Sequence, residues 1–232
     1  EARLGAGGFG VVYRARDLER GRAVALKVLR GRDAAGLVRF KREFRALADV
    51  LDPHLVRLHE LFAQQDAPLF FTMELVEGRP LVEALRGPEA PSPARLARVF
   101  RQLVAGVGTL HAHGLLHRDL KPSNVLVTRD DRVVILDFGL AAFHARADDA
   151  DGLGGTPAYM GPEQLAAGTS SPASDVYALG VTLYEALAGR LPFEGPARAL
   201  AAMKAAGPPP LPAGCAAPPA LERLCAALLA PD

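Results

Sequence analysis

The chain has 232 residues, half of them hydrophobic and 23% charged, with a formal net charge of +1. That balance reads as a soluble globular domain, or two small lobes, with enough chain to bury a substantial core. No basic cluster points to a nucleic-acid partner, and no apolar run approaches the roughly 18–20 residues of a membrane span.

The first residues, EARLGAGGFG, are neither a signal peptide nor an initiator-methionine start, so the chain is read as a fragment. A glycine-rich stretch, Gly5 to Gly10, joins a first strand to a β-prone run at Val11, Val12 and Tyr13. Ala23 to Leu29 is a second, nearly continuous apolar strand. Asp33 is placed to cap a helix carrying Leu37, Phe40, Phe44, Leu47 and Val50 at spacings of three and four, ended by Pro53 and His54. Strands are expected over 56–62 and 69–75. Beyond Glu77-Gly78 the pattern changes. Leu81–Leu85 reads as a short helix, and Ser92-Pro93 opens a longer one reaching about His113. Short strands follow at 125–127 and 133–136. Residues 174–188 form a strongly apolar helix, with Ser174 or Asp175 near its cap, expected to be buried inside the second part. Helices over 196–206 and 218–229 flank a stiff Pro-rich connector, GPPPLPAG. Cys215 and Cys225 read as two reduced, partly buried thiols.

Of the 27 basic residues only Lys27, Lys41, Lys121 and Lys204 are lysine, and Asn124 is the single asparagine. Lysine or asparagine in a motif is therefore hard to dismiss as background.

Four groups of residues carry chemistry. Glycines 5, 7 and 10 form GxGxxG, which alone fits a tight turn or a dinucleotide site equally well. A dinucleotide fingerprint opens a helix, whereas Val11-Val12-Tyr13 continues as a strand, so these glycines sit in a hairpin whose backbone N–H groups can approach phosphates. No GxxxxGK[ST] is present, which removes a Walker-type loop. Lys27 lies inside an apolar strand; alone it fits an edge-facing lysine as well as a buried cation seeking an anion. Glu43, among the core-facing Phe40, Phe44 and Leu47, is placed to supply that anion. The string HRDLKPSN, His117 to Asn124, is the strongest signal. Asp119 can accept a proton from an attacking hydroxyl, Lys121 can neutralise charge on a transferred group, and Asn124 offers a neutral oxygen to a hard cation. Asp137-Phe138-Gly139 follows an apolar strand, and Asp137 there needs a cation or a partner. Asp137 and Asn124 could hold Mg²⁺ together with phosphate oxygens.

This set, spread over nearly the whole chain, resembles the eukaryotic-like protein kinase family, in its bacterial-type serine/threonine form. GAGGFGVV is similar to the glycine loop, VALK to the lysine strand, HRDLKPSN to the catalytic loop and DFG to the magnesium loop. GTPAYMGPEQ resembles the substrate-docking segment, with Gly161 where alanine is usual. SDVYALGVTLYEALAGRLPF resembles the large central helix, with Asp175 bracing the catalytic loop. The lysine after Asp119-Leu120 and the Gly155-Thr156 pair resemble the serine/threonine branch.

The resemblance implies an α+β, bilobal fold: an N-lobe over 1–76, an antiparallel sheet with one helix, and a mainly helical C-lobe over 77–232. It implies that Gly5, Gly7 and Gly10 cover ATP phosphates and that Lys27, held by Glu43, positions them. Met73 backs the adenine pocket, the hinge 74–76 (Glu74 to Val76) binds adenine through its backbone, and Val12, Ala25 and Leu126 sandwich the ring. Asn124 and Asp137 hold Mg²⁺, for which Mn²⁺ can substitute, and Asp119 and Lys121 are catalytic. Partners are then a protein substrate, with neither nucleic acid nor membrane contact within this segment, and sensor or regulatory domains flanking it. The location is the cytoplasm, or the cytoplasmic face of a membrane if an anchor lies elsewhere. The chain is read as starting within the first strand and ending before the last helix, which leaves Glu163 without the arginine that usually pairs with it.

Between Asp137 and Gly155 there is no Ser, Thr or Tyr. The hypothesis is that loop phosphorylation does not switch this enzyme on. One of Asp148, Asp149 or Asp151 near Arg118 would give about one negative charge where a phosphate gives about 1.5–2; a solvated acidic loop is the alternative. Two rival readings remain: an ATP-binding pseudokinase acting as an interaction scaffold, against which Lys27, Asp119 and Asp137 all stand, and a small-molecule phosphotransferase, against which the docking segment stands.

Overall fold

The computed structural model describes residues 2–7, 10–29, 34–64, 68–87, 92–138, 156–213, 215 and 217–230. The first part is an antiparallel sheet of β1 (Ala2–Gly7), β2 (Gly10–Asp17), β3 (Arg22–Leu29), β4 (Leu58–Phe62) and β5 (Phe70–Met73), in the order β1-β2-β3-β5-β4. The β2–β3 turn is fixed locally: Asp17 Oδ1 accepts the N–H groups of Glu19 and Arg20. Helix α1 (Ala34–Ala48) covers the sheet with the stripe read from the sequence. Phe40 and Phe44 meet Phe71 of β5, with ring centroids 6.3 and 5.5 Å from it. Burying Phe71 completely stabilises this layer by about 2–3 kcal/mol. The helix stops at Ala48, short of Val50, whose N–H turns back to Leu47 O. Asp33, the expected cap, lies outside the described residues.

Strand β4 begins at Leu58 and not at Val56, because the preceding segment pairs elsewhere. Val56 N–H donates to Ile135 O at 2.9 Å, and Ile135 N–H donates to His54 O at 2.8 Å. These bonds fasten the first part to the second.

The second part contains β6 (Gly78–Pro80), β7 (Val125–Thr128) and β8 (Val133–Ile135) in one small antiparallel sheet. Around it stand α2 (Leu81–Leu85), α3 (Pro93–Ala112), α4 (Pro162–Ala167), α5 (Pro172–Ala188), α6 (Ala197–Ala205) and α7 (Pro219–Leu228). Ser92 caps α3 by accepting from Arg95 N–H, with Pro93 in the first turn, as expected.

The cap of α5 differs from expectation. It is Ser171, not Ser174 or Asp175; Ser171 and Ser174 bond reciprocally through their side chains and N–H groups, and Pro172 occupies the first turn. Helix α5 is buried on nearly every side, from Ser174 through Ala186. Arg86 Nη1 closes its carboxyl end, donating to Ala186 O and Leu187 O. Both cysteines are free thiols, Cys225 buried and Cys215 half-buried. No described helix is long and apolar enough to cross a membrane. An α+β architecture with an antiparallel sheet and one helix, followed by a mainly helical part, is what the motif pattern implied.

Candidate active site

The segment from His117 to Asn124 links α3 to β7, and three layers of contact hold it. Asp175, buried near the start of α5, accepts from His117 N–H at 2.8 Å, from Arg118 N–H at 2.9 Å and from His111 Nε2 at 2.9 Å. His117 is itself fully buried, with Nε2 donating to Leu136 O at 3.0 Å and Nδ1 accepting from Asp119 N–H at 3.3 Å. One protonated nitrogen and one lone pair are what a neutral ring supplies. Burial pushes its pKa down, against the opposing charges of Asp175, Asp119 and Asp137. Finally, Leu136 N–H donates to Asn124 O, which sets the chain before Asp137 against the end of the 117–124 segment.

Inside this frame Asp119 is 6% exposed. Its Oδ2 lies 2.8 Å from Lys121 Nζ and accepts from Asn124 Nδ2 at 3.2 Å. Asn124 Nδ2 also donates to Asp119 O at 2.8 Å, so the amide nitrogen is committed inward and Oδ1 is the atom that could serve as a ligand. Lys121 Nζ donates onward to Thr156 Oγ1 at 2.8 Å. Arg118 and Asp137 adopt positive φ, 69° and 57°, which costs a non-glycine residue about 1 kcal/mol or more each. At Arg118 the bond to Asp175 offsets that strain.

Lys27 is 2% exposed, so it does not reach water from an edge. Its Nζ lies 2.6 Å from Asp137 Oδ1. Glu43 on α1 brings Oε1 to 4.0 Å from Arg118 Nη1, so its carboxylate stands over the same segment. Two ion pairs result, Lys27–Asp137 between β3 and the strand end after β8, and Lys121–Asp119 within the 117–124 segment, and the Leu136 N–H to Asn124 O bond ties the two segments together.

Gly10 backs β3 so closely that an added Cβ would lie 2.0 Å from Val28 O, and its φ is +144°. Gly5 and Gly7 are open: nothing lies within 4 Å of an added Cβ. In the sheet, Val12 is paired with Lys27 and Ala25 with Met73, while Leu126 lies in β7. Glu74 N–H is committed to Arg57 O at 2.8 Å and its carboxylate to Arg132 at 2.7 Å. Val76 follows half-buried. Asp148, Asp149, Asp151 and Gly139 lie outside the described residues.

Among the described residues no cluster of three His, Cys, Asp or Glu could hold a metal by itself. Asn124 Oδ1 and the Asp137 carboxylate are hard oxygen donors, and such a pair fits a cation that takes its remaining ligands from phosphate and water.

His111 and Lys204 were not singled out by motif reading. His111 sits near the end of α3, ahead of the HRDLKPSN string, without a spacing that marks it; Lys204 carries one signal, its rarity in this lysine-poor chain. At Gly161, where alanine is usual in the family, the Glu163 carboxylate folds back to 2.5 Å from where a Cβ would sit, and it accepts from Ser174 Oγ.

Comparison with known proteins agrees with this geometry. The sequence profile described as protein kinase domain matches residues 1–207. The chain is 40% identical over 202 residues to the serine/threonine-protein kinase PknL of Mycobacterium tuberculosis, covering 84% of this chain and 50% of that protein. It is 37% identical over 207 residues to serine/threonine-protein kinase pkn3 of Myxococcus xanthus, covering 84% and 38%. It is 38% identical over 227 residues to pkn2 of the same organism, covering 93% and 27%. The chain thus spans half or less of the length of these relatives. A profile match over most of its residues, and 37–40% identity to these relatives over 84% of its length, show that this chain belongs to the protein kinase domain family, among serine/threonine relatives.

Proposed function

We propose that the chain is the catalytic domain of a serine/threonine protein kinase, divided into lobes at 76/77. When bound, Mg-ATP supplies the γ-phosphoryl group, and the cation spreads its negative charge. The glycine hairpin at Gly5, Gly7 and Gly10 covers the phosphates through open backbone. Lys27, aided by Glu43, donates to the α and β phosphates. Asn124 and Asp137 hold Mg²⁺, or Mn²⁺ in its place. Val12, Ala25, Met73 and Leu126 enclose the adenine, with hydrogen bonds from the main chain of Glu74 to Val76. Asp119 orients the acceptor hydroxyl and takes its proton, and Lys121 neutralises charge on the phosphoryl group in transit. The acceptor is a protein. Sensor or regulatory domains outside this segment, and a site in the cytoplasm or on the cytoplasmic face of a membrane, complete the reading.

The observation that carries it is the arrangement at Asp119: a carboxylate 2.8 Å from the Lys121 ammonium and 3.2 Å from the Asn124 amide, with the Asn124 main-chain carbonyl bonded to Leu136 N–H, next to the Asp137 that pairs with Lys27. Asp119→Asn removes the proton acceptor and keeps the shape. Phosphotransfer to a serine or threonine peptide is expected to fall by about 10²–10⁴-fold, with ATP affinity little changed. Undiminished phosphotransfer in that variant would refute the assignment.

A further inference from the structure

Lys204 lies on α6 with 0% of its surface exposed. Its Nζ donates to three main-chain carbonyls: Pro157 O at 3.0 Å, Ala158 O at 2.9 Å and Met160 O at 2.5 Å. An ammonium group has three N–H donors and no acceptor, so one stretch of four residues fills its whole capacity. The rings of Tyr177 and Phe193 stand 5.2 and 6.0 Å away and favour a cation there. A buried ammonium costs free energy unless it is bonded in this way. An apolar side chain on α6 would leave three inward-turned carbonyls without a donor.

The stretch it holds begins directly after Thr156, whose hydroxyl receives Lys121. Within it, Tyr159 N–H returns to Thr156 O at 2.9 Å, and Tyr159 OH donates to Glu185 at 2.6 Å. Lys121 therefore fixes the turn from the catalytic side and Lys204 from beneath. We infer that Lys204 is a positioning residue for the polypeptide substrate: by holding the carbonyls of Pro157, Ala158 and Met160 it sets the shape of the docking segment. This rests on the kinase reading and on docking at that segment.

The number of donors makes the clamp sensitive to pH. Burial pushes the Lys204 ammonium down to about 8, opposed by Glu163 on α4. Tyr177 on α5 and Tyr159 in the turn, the other titratable groups facing this region, are pushed up by burial and keep their protons there. A neutral amine has two N–H donors, so one of the three carbonyls loses its bond as pH rises through about 8.

The test uses labelled ATP and a degenerate peptide library with one central serine or threonine and no histidine or cysteine, alongside ATP hydrolysis without peptide. In Lys204→Met the peptide KM is expected to rise about tenfold while the KM for ATP stays within about twofold. In the unaltered chain the peptide KM rises as pH passes about 8, and in Lys204→Met that rise is absent. A peptide KM unchanged in folded Lys204→Met overturns the inference. If that variant does not fold, the unaltered chain decides, and a peptide KM that stays flat from about pH 7 to 9 overturns it. An unaltered chain that neither hydrolyses ATP nor phosphorylates peptide overturns the kinase reading and this inference together. Normal ATP hydrolysis with an unmoved peptide KM overturns the Lys204 role alone.

Discussion

The ammonium group of Lys121 donates to the hydroxyl of Thr156 across 2.8 Å, joining two segments 35 positions apart in the chain. The same ammonium lies 2.8 Å from Asp119, so the hydroxyl helps to hold it beside the carboxylate. Thr156→Val keeps the shape and removes the acceptor. Turnover is expected to fall about tenfold, the effect of one charge-assisted hydrogen bond, with Thr156→Ser restoring most of it. Steady-state kinetics with peptide and ATP varied separately checks both.

Asp175 carries three hydrogen bonds in the second part, two of them to the main chain at His117 and Arg118. Asp175→Asn turns one oxygen into a donor facing donors. Loss of about 3 kcal/mol of unfolding free energy is expected, because buried hydrogen bonds to a charged group are lost and Arg118 is left at φ 69° unsupported. Urea unfolding measures it; a loss below about 0.5 kcal/mol, the range of ordinary surface changes, would contradict the bracing role.

Gly10 and its neighbours separate two uses of glycine. Gly10→Ala drives a Cβ to 2.0 Å from Val28 O at φ +144°, and is expected to cost at least about 2 kcal/mol. Gly7→Ala meets nothing, and stability should stay within about 0.5 kcal/mol. Thermal unfolding of the two variants side by side discriminates them.

His117 makes stability depend on pH. Burial holds its pKa below the ordinary 6.5, so under mild acid the unfolded chain binds a proton that the folded chain refuses. Its contribution is complete above pH 6.5 and is lost progressively as pH falls below that value. His59, lowered by burial and by Arg22, acts in the same direction. Urea unfolding across this range should show stability falling with acid, and His117→Leu should flatten the slope while lowering the plateau.

Much of the fold was legible because local chemistry repeats a pattern. Ser92-Pro93 marked the start of α3, and the spacing of Phe40, Phe44 and Leu47 marked the buried stripe of α1. Two of the short pieces were not legible, although α2 and the strands near 125 and 133 were. Strand β6 and helix α4 are too brief to show a period, and both persist through neighbours: β6 by pairing with β7, α4 by packing on α5 and α6. Ser171, Ser174 and Asp175 all carry side chains able to cap α5; the reciprocal Ser171–Ser174 bonds decide it, and Asp175 is drawn away to His117.

By itself the sequence determined which residue types the candidate site contains, since HRDLKPSN, DFG and the glycine hairpin each set spacing and chemistry within a few residues. Only the tertiary structure decided who faces whom: that Lys27 stands 2.6 Å from Asp137, and that a lysine on α6 enters the turn after Thr156. The reason is physical. A buried charge is satisfied by whichever opposite charge or carbonyl the packing of distant elements brings within about 3 Å, and that distance is not written in the spacing of either partner.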